Sequence, residues 1–178
     1  VNLKFRVQFG KNFFNLNFIP LTRNRGGRGI FLYREKIETL MEFGHRFLNK
    51  GDVVIDGGAN QGVFSTAFSS IVGNEGKVIS IEPFHFYKDI IENNSRINRF
   101  ALPTVITNVL SNVEATYTLD YSDGIGKSSI VRNFGSEKLL QIESTTLDIL
   151  LIKMKLKKVD LIKLDLEGAE YLALKGGT

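Results

Sequence analysis

The chain has 178 residues, of which 43% are hydrophobic and 24% charged, and its formal net charge is +4. This length and composition are typical of one globular domain, and the absence of cysteine excludes disulfides and thiolate metal sites. The sequence has neither a signal peptide nor a run of about 18 apolar residues, which a membrane-spanning helix needs. We therefore expect a cytoplasmic protein with no transmembrane segment.

Positive charge is concentrated near the N-terminus. Residues 1–50 contain 10 Lys or Arg and 3 acidic residues, whereas the rest of the chain is net negative. Such a region can meet an anionic glycan or a nucleic acid, although most charged faces are simply solvated. The Arg/Gly loop at 23–28 lacks interleaved aromatic residues, which argues against a nucleic-acid partner.

The first fifty residues contain two predicted elements. Apolar residues alternate through residues 1–19 on both sides of a turn near Gly10, which predicts an N-terminal β-hairpin. Residues 33–48 have apolar side chains at helical spacing. We therefore divide the chain into a hairpin with a basic loop, 1–34, and a second unit, 35–178.

Strands and helices alternate in the second unit. The predicted strands cover 53–56, 77–82, 104–109 and 159–164, and the predicted helices cover 62–72, 84–99 and 167–175, with another starting at Thr145, three residues before Asp148 in capping-box spacing. This alternation predicts an α/β fold with a mostly parallel, doubly wound, Rossmann-like sheet. Strand signals at 114–119 and 128–134 add an antiparallel insert at about 113–134.

The stretch 51–62 carries the first chemical signal. A β-branched strand ends at Asp56 and is followed by a turn with three glycines and a helix, which is typical of proteins that bind nucleotide-like cofactors. A dinucleotide's pyrophosphate would lie at the helix N-terminus and be repelled by the acid. S-adenosylmethionine has no phosphate and carries positive charge, so the motif favours it. An NAD-dependent oxidoreductase stays open, because Gly57-x-Ala59-x-x-Gly62 fits a relaxed dinucleotide fingerprint.

Acidic residues end two more predicted strands. Glu82 is suited to accept from both hydroxyls of a cofactor's ribose. Asp165 is followed by Glu167 and Glu170, and three acids so close together repel one another unless a cation compensates. That cation could be a sulfonium, a metal or a lysine such as Lys163. Alternatively, Glu167 and Glu170 are first-turn acids that suit the helix dipole.

These residues together give a family resemblance. The sequence resembles the FkbM-type family of S-adenosylmethionine-dependent methyltransferases over about residues 35–177. The matching features, in the family's order, are 53–62, Glu82-Pro83, Asn94, Asn98, 146–148 and 162–170. Their combination is more specific than any one motif.

The resemblance implies roles for particular residues. Its cofactor-binding set is Asp56, Gly58, Asn60, Gly62, Glu82 and Asp165. The turn residues would hold the methionine part of S-adenosylmethionine and Glu82 its ribose, with no metal ligand assigned. Asp165 or Glu167 would be the catalytic base.

The resemblance also implies an activity. Family members typically methylate hydroxyl groups, often of sugars, glycans or natural products, so we expect an O-methyltransferase with a small-molecule or glycan acceptor. The family fold continues with further strands, and because the chain ends at Thr178 we expect these C-terminal strands to be missing. A non-catalytic module that binds anions or glycans through the basic N-terminal region is a further alternative.

Overall fold

The computed structural model describes residues 3–9, 12–18, 44–120, 130 and 139–177. Its strands are β1 (Leu3–Phe9), β2 (Asn12–Phe18), β3 (Val53–Gly57), β4 (Lys77–Ile81), β5 (Thr104–Ile106), β6 (Val109–Leu110), β7 (Thr116–Asp120), β8 (Leu139–Thr145) and β9 (Leu161–Leu164). Its helices are α1 (Val63–Val72), α2 (His85–Ile97), α3 (Leu147–Lys153) and α4 (Glu170–Lys175).

Two predictions for the N-terminal region have different outcomes. The hairpin is confirmed, because β1 and β2 pair antiparallel from Leu3 opposite Phe18 to Phe9 opposite Asn12. Of the helix predicted over 33–48, only residues 44–47 are described as helical, and the Arg/Gly loop lies outside the described residues. No helix in the described part of the chain has the length and apolar character needed to cross a bilayer.

A parallel four-stranded sheet forms the centre of the fold, as the alternation predicts. Its strand order is β5-β4-β3-β9, with Ile55 of β3 lying between Ile79 of β4 and Ile162 of β9. Successive residues of a strand point to opposite faces, and both faces of β3 are packed. Because parallel strands end at the same edge, the residues that follow β3, β4 and β9 come together there.

Different helices cover the two faces of this sheet. Val54 packs with Phe68 and Val72 of α1 on one face. On the other face, Ile55 packs with Leu150 of α3 and Ala173 of α4. The buried β-branched strand predicted from the sequence therefore belongs to the sheet that forms the middle layer of a three-layer α/β/α arrangement.

The first strand of the predicted insert is confirmed as β7, which lies in a small mixed sheet. Its order is β6-β8-β7, with β6 parallel and β7 antiparallel to β8. The strand predicted over 104–109 is divided into β5 and β6. The antiparallel partner of β7 is β8, which the sequence analysis did not predict, and of the predicted strand 128–134 only Ile130 is described, as a bend.

Helix α3 begins later than the sequence suggested. Thr145 is the last residue of β8, and Thr146 is the N-cap, with its Oγ1 accepting from the backbone N–H of Ile149 at 3.1 Å. Either threonine can cap a helix. Thr146 is the N-cap because Thr145 belongs to β8, whose pairing with β6 places Thr145 opposite Leu110.

Candidate cofactor site

An open cleft lies at the carboxyl edge of the main sheet, where ligands bind in open α/β folds. Apolar side chains from β4, β6 and β7 form one wall, namely Ile81, Val109, Leu110 and Leu119. The predicted site residues that line the cleft are Gly58, Asn60, Glu82, Asp165 and Glu167.

Glu82 is the best-defined polar group in the cleft. It follows β4 and is only 5% exposed. The backbone N–H of Asn60 donates to its Oε2 at 2.8 Å, and the backbone N–H of Phe84 donates to its Oε1 at 3.1 Å. Each carboxylate oxygen can accept a second hydrogen bond. A ligand with two adjacent hydroxyl groups can therefore donate to both oxygens at once.

Burial raises the pKa of Glu82 to about 7, although the backbone hydrogen bonds from Phe84 and Asn60 act in the opposite direction. Removing a carboxylate from water disfavours its charged form. Glu82 is therefore held close to the point of ionisation at neutral pH, and a ligand that donates hydrogen bonds to it favours the charged form.

The glycine turn is held by hydrogen bonds within the protein. The backbone N–H groups of Gly58 and Ala59 donate to the Ile81 carbonyl at 2.9 and 3.1 Å, and that of Gly62 donates to Ala59 at 2.9 Å. The N–H of Asn60 is taken by Glu82, as described above. These four amides are thus already bonded and do not form a phosphate cradle.

Asn60 and Gly58 have left-handed backbone conformations, with φ of 51° and 70°. Asparagine tolerates this region better than most residues, so it can occupy this position of the turn. Gly58 is required for a second reason, because a Cβ there would lie 2.0 Å from the backbone oxygen of Asp165. The turn after β3 and the segment after β9 therefore touch backbone to backbone.

Asp56 does not lie in the cleft, contrary to the reasoning from sequence that used its charge to choose between cofactors. Its carboxylate is fully buried, with Oδ1 3.0 Å from Lys163 Nζ and Oδ2 accepting from Ser65 Oγ at 2.6 Å. Lys163 Nζ also donates to the carbonyls of Gly57 and Gly58. Asp56 is thus a positioning residue beneath the turn, and the lysine neutralises its charge.

Gly62 is also outside the cleft lining. It is the N-cap of α1 with φ of 78°, and a Cβ there would lie 3.0 Å from Ile91 Cα. This glycine allows α1 to pack closely against α2, so its role is in helix packing.

The acidic cluster after β9 separates into different environments. Asp165 is exposed at the cleft, and Glu167 is partly buried there with φ of 53°. Glu170 Oε1 accepts from the backbone N–H groups of Leu166 and Gly168 at 2.7 and 3.3 Å, as its helix-start interpretation predicts. Lys163 pairs with Asp56 and so is not the cation that the sequence left open for this cluster.

No group of three His, Asp or Glu side chains that could hold a metal ion occurs among the described residues. The cleft combines the two acceptor oxygens of Glu82, apolar side chains and the further carboxylates of Asp165 and Glu167. These acceptors suit a ligand that carries hydroxyl groups and positive charge.

The fold and the site define an α/β protein with a cofactor cleft at the carboxyl edge of a parallel sheet. Residues 56–178 match the methyltransferase FkbM domain, and the chain belongs to this family. The family is S-adenosylmethionine-dependent, and membership implies S-adenosylmethionine as the cofactor. No curated protein matches the sequence.

Solved structures of methyltransferases resemble parts of the chain. A provisionally assigned rRNA methylase from Clostridium thermocellum matches 41% of this chain and 40% of its own, with 18% identity and a TM-score of 0.39. A protein-L-isoaspartate O-methyltransferase matches 61% of this chain and 29% of its own, with 15% identity and a TM-score of 0.37. A SAM-dependent methyltransferase from Aquifex aeolicus matches 55% and 50%, with 23% identity and a TM-score of 0.35. The chain thus spans half or less of the length of each of these structures.

Proposed function

We propose that the cleft binds S-adenosylmethionine and that the protein is an O-methyltransferase. The observation that carries this proposal is the distribution of acids around the cleft. Glu82 lies beside an apolar wall, and Asp165 and Glu167 line the same cleft. One oriented carboxylate suits a neutral diol, whereas the additional carboxylates suit a cationic group.

Each residue then has a distinct task. Glu82 accepts from the ribose hydroxyls, and the wall of Val109, Leu110 and Leu119 packs against the adenine. Asp165 faces the amino-acid end of the cofactor or the acceptor. When bound, S-adenosylmethionine supplies an electrophilic methyl group. The protein contributes mainly by holding the acceptor in position, which accounts for a large part of the acceleration in such transfers.

We assign the base to Glu167. It lines the cleft and is partly buried, and its left-handed φ of 53° fixes the backbone from which its side chain extends. A carboxylate so placed can take the proton of an acceptor hydroxyl. The acceptor class, a sugar, glycan or natural product, follows from what FkbM-type enzymes typically methylate.

The glycine turn favours this proposal over an NAD-dependent oxidoreductase. Pyrophosphate sites at helix N-termini use free backbone N–H groups, but the amides of Gly58, Ala59, Asn60 and Gly62 already donate to protein acceptors. Binding a dinucleotide in the usual way would break these bonds. The bonded amides of the turn, and not the charge of Asp56, therefore disfavour NAD.

Calorimetric titration tests the proposal. We expect heat of binding from S-adenosylmethionine and S-adenosylhomocysteine, and none from NAD. Glu82→Gln should weaken binding of S-adenosylhomocysteine by about 1.5–3 kcal/mol, the range for hydrogen bonds to a charged group. Binding of NAD alone, or of none of the three ligands, would contradict the proposal.

A further inference from the structure

The N-terminal hairpin lies outside the segment that matches the family. It is nevertheless hydrogen-bonded to Asn94 and Asn98, which lie within that segment. Strand β2 packs along helix α2, and Leu16 between the two contacts described below is fully buried. The free edge of β2 presents backbone N–H and C=O groups that need partners. The side chains of Asn94 in α2 and of Asn98, the C-cap that follows α2, supply them.

The two contacts repeat along the helix. Asn98 Oδ1 accepts from the backbone N–H of Asn15 and its Nδ2 donates to the Asn15 carbonyl, both at 2.7 Å. Asn94 Oδ1 accepts from the N–H of Asn17 at 2.7 Å, and its Nδ2 donates to the Asn17 carbonyl at 3.3 Å. Residues four apart on a helix are about 6 Å apart along its axis. Residues two apart on a strand are separated by about 6.8 Å, so the two repeats match.

The second hydrogen of each amide distinguishes the two asparagines. Asn98 Nδ2 donates to the carbonyl of Asn94, one helical turn earlier, at 2.7 Å. Asn94 Nδ2 donates to the Gln61 carbonyl at 3.0 Å, and Gln61 belongs to the glycine turn. Asn94 is fully buried, so none of these bonds can be replaced by water.

The hairpin and the Gln61 carbonyl favour the same orientation of the Asn94 amide. If the amide were reversed, its NH₂ group would face the N–H of Asn17, and its oxygen would face the carbonyls of Asn17 and Gln61. All three contacts would then be unfavourable. With β2 in place, only one orientation of the amide satisfies all three contacts. In that orientation one N–H group of the amide points at the glycine turn.

We propose that Asn94 is a positioning residue of the cofactor site, and that the N-terminal hairpin holds its amide in the orientation that fixes the glycine turn. The hairpin would thereby stabilise the turn that carries Asn60, whose N–H orients Glu82. The inference rests on the proposed function only where cofactor affinity is the measurement.

The test compares Asn94→Ala with Asn98→Ala, which loses equivalent bonds to the hairpin but none to the turn. Without ligand, we expect faster amide hydrogen exchange in strand β2 for both variants and in residues 58–62 for Asn94→Ala alone. Affinity for S-adenosylhomocysteine should fall about tenfold in Asn94→Ala, a common size for coupling between sites, and change less than about threefold in Asn98→Ala. Equal effects of the two variants, or an unchanged turn in Asn94→Ala, would overturn the proposal.

The wild-type protein provides a second test that does not depend on the folding of a variant. Coupling is reciprocal, so S-adenosylhomocysteine should slow amide exchange in β2 as well as in the turn. Slower exchange in the turn with no change in β2 would refute the coupling. Failure of the ligand to bind would contradict the proposed function instead, and the exchange of the ligand-free variants would still decide the role of Asn94.

Discussion

Glu82 is the residue whose burial has the clearest chemical consequence. Its ordinary pKa of 4.5 is raised to about 7 by desolvation, so the folded protein binds this proton more tightly than the unfolded chain does. The contribution of Glu82 to the free energy of unfolding therefore decreases as pH rises from 4.5 to about 7. Ribose binding acts in the opposite sense, because hydroxyl donors favour the ionised carboxylate.

Affinity for S-adenosylhomocysteine should consequently increase with pH. Below a pKa of about 7 each binding event must first remove the proton from Glu82, so we expect about tenfold weaker binding at pH 6 than at pH 8. Titration calorimetry at several pH values measures this change. The Glu82→Gln variant should lose the dependence. If the wild type and the variant show the same pH profile, the titrating group is not Glu82.

Glu167 and Asp165 should differ in what their replacement removes. Glu167→Gln is expected to keep affinity for S-adenosylhomocysteine while turnover falls roughly 10²–10⁴-fold, the usual contribution of a general base. Asp165→Asn should lower affinity and turnover together, because this residue is assigned to the cofactor or acceptor. Steady-state kinetics with an acceptor whose free hydroxyl the protein methylates, together with calorimetry, separate the two. Near-normal turnover of Glu167→Gln would leave it as a helix-start acid.

At the scale of the element, the glycine turn depends on close packing between two loops. Gly58→Ala places a Cβ 2.0 Å from the Asp165 oxygen at a φ of 70°, whereas Gly73→Ala has a similar φ of 66° with nothing within 4 Å. Gly73 has a ψ of −166°, a backbone region that essentially only glycine adopts, and such strain alone costs about 1–3 kcal/mol. We expect Gly73→Ala to lose about this much in urea unfolding, and Gly58→Ala to lose clearly more and to bind S-adenosylhomocysteine poorly. Equal losses of unfolding free energy in the two variants would mean that the two loops can move apart without a free-energy cost.

At the scale of the whole molecule, the pair of Asp56 and Lys163 joins β3 to its neighbour β9 in the parallel sheet. Asp56 lies on β3 opposite Lys163 on β9, and the lysine is 19% exposed while the acid is inaccessible to solvent. Removing one partner of such a pair leaves a buried charge, which costs about 3–5 kcal/mol. Lys163→Met should therefore lower the free energy of unfolding by about this amount in urea denaturation.

Two controls accompany that measurement. Lys158 pairs with Asp160 at 2.9 Å, but its side chain is 63% exposed, so Lys158→Met should change stability little because surface pairs are weak. The double variant Asp56→Asn with Lys163→Met should recover part of the loss, since no charge is then left unpaired. A Lys163→Met variant as stable as Lys158→Met would show that the pair contributes nothing.

The sequence by itself determined the elements whose signals are local. Period-two alternation gives the hairpin, the β-branched run followed by glycines gives β3 and its turn, and strand–helix alternation gives the parallel sheet with Glu82 and Asp165 at one edge. These features depend on neighbouring residues and on the rule that parallel strands end together. The family could be identified for the same reason, since its motifs are short and ordered.

Only the tertiary structure decided which groups face the cleft. Asp56 and Glu82 both follow or end buried strands, yet Asp56 points to Lys163 and Glu82 to the cleft, because a lysine more than a hundred positions away in the chain pairs with the first. The same holds for β8, which is specified by its pairing with β6 and β7, and for Asn94, whose partners come from the hairpin and the turn. Local patterns specify elements, whereas charge pairing and hydrogen bonding between distant segments specify the site.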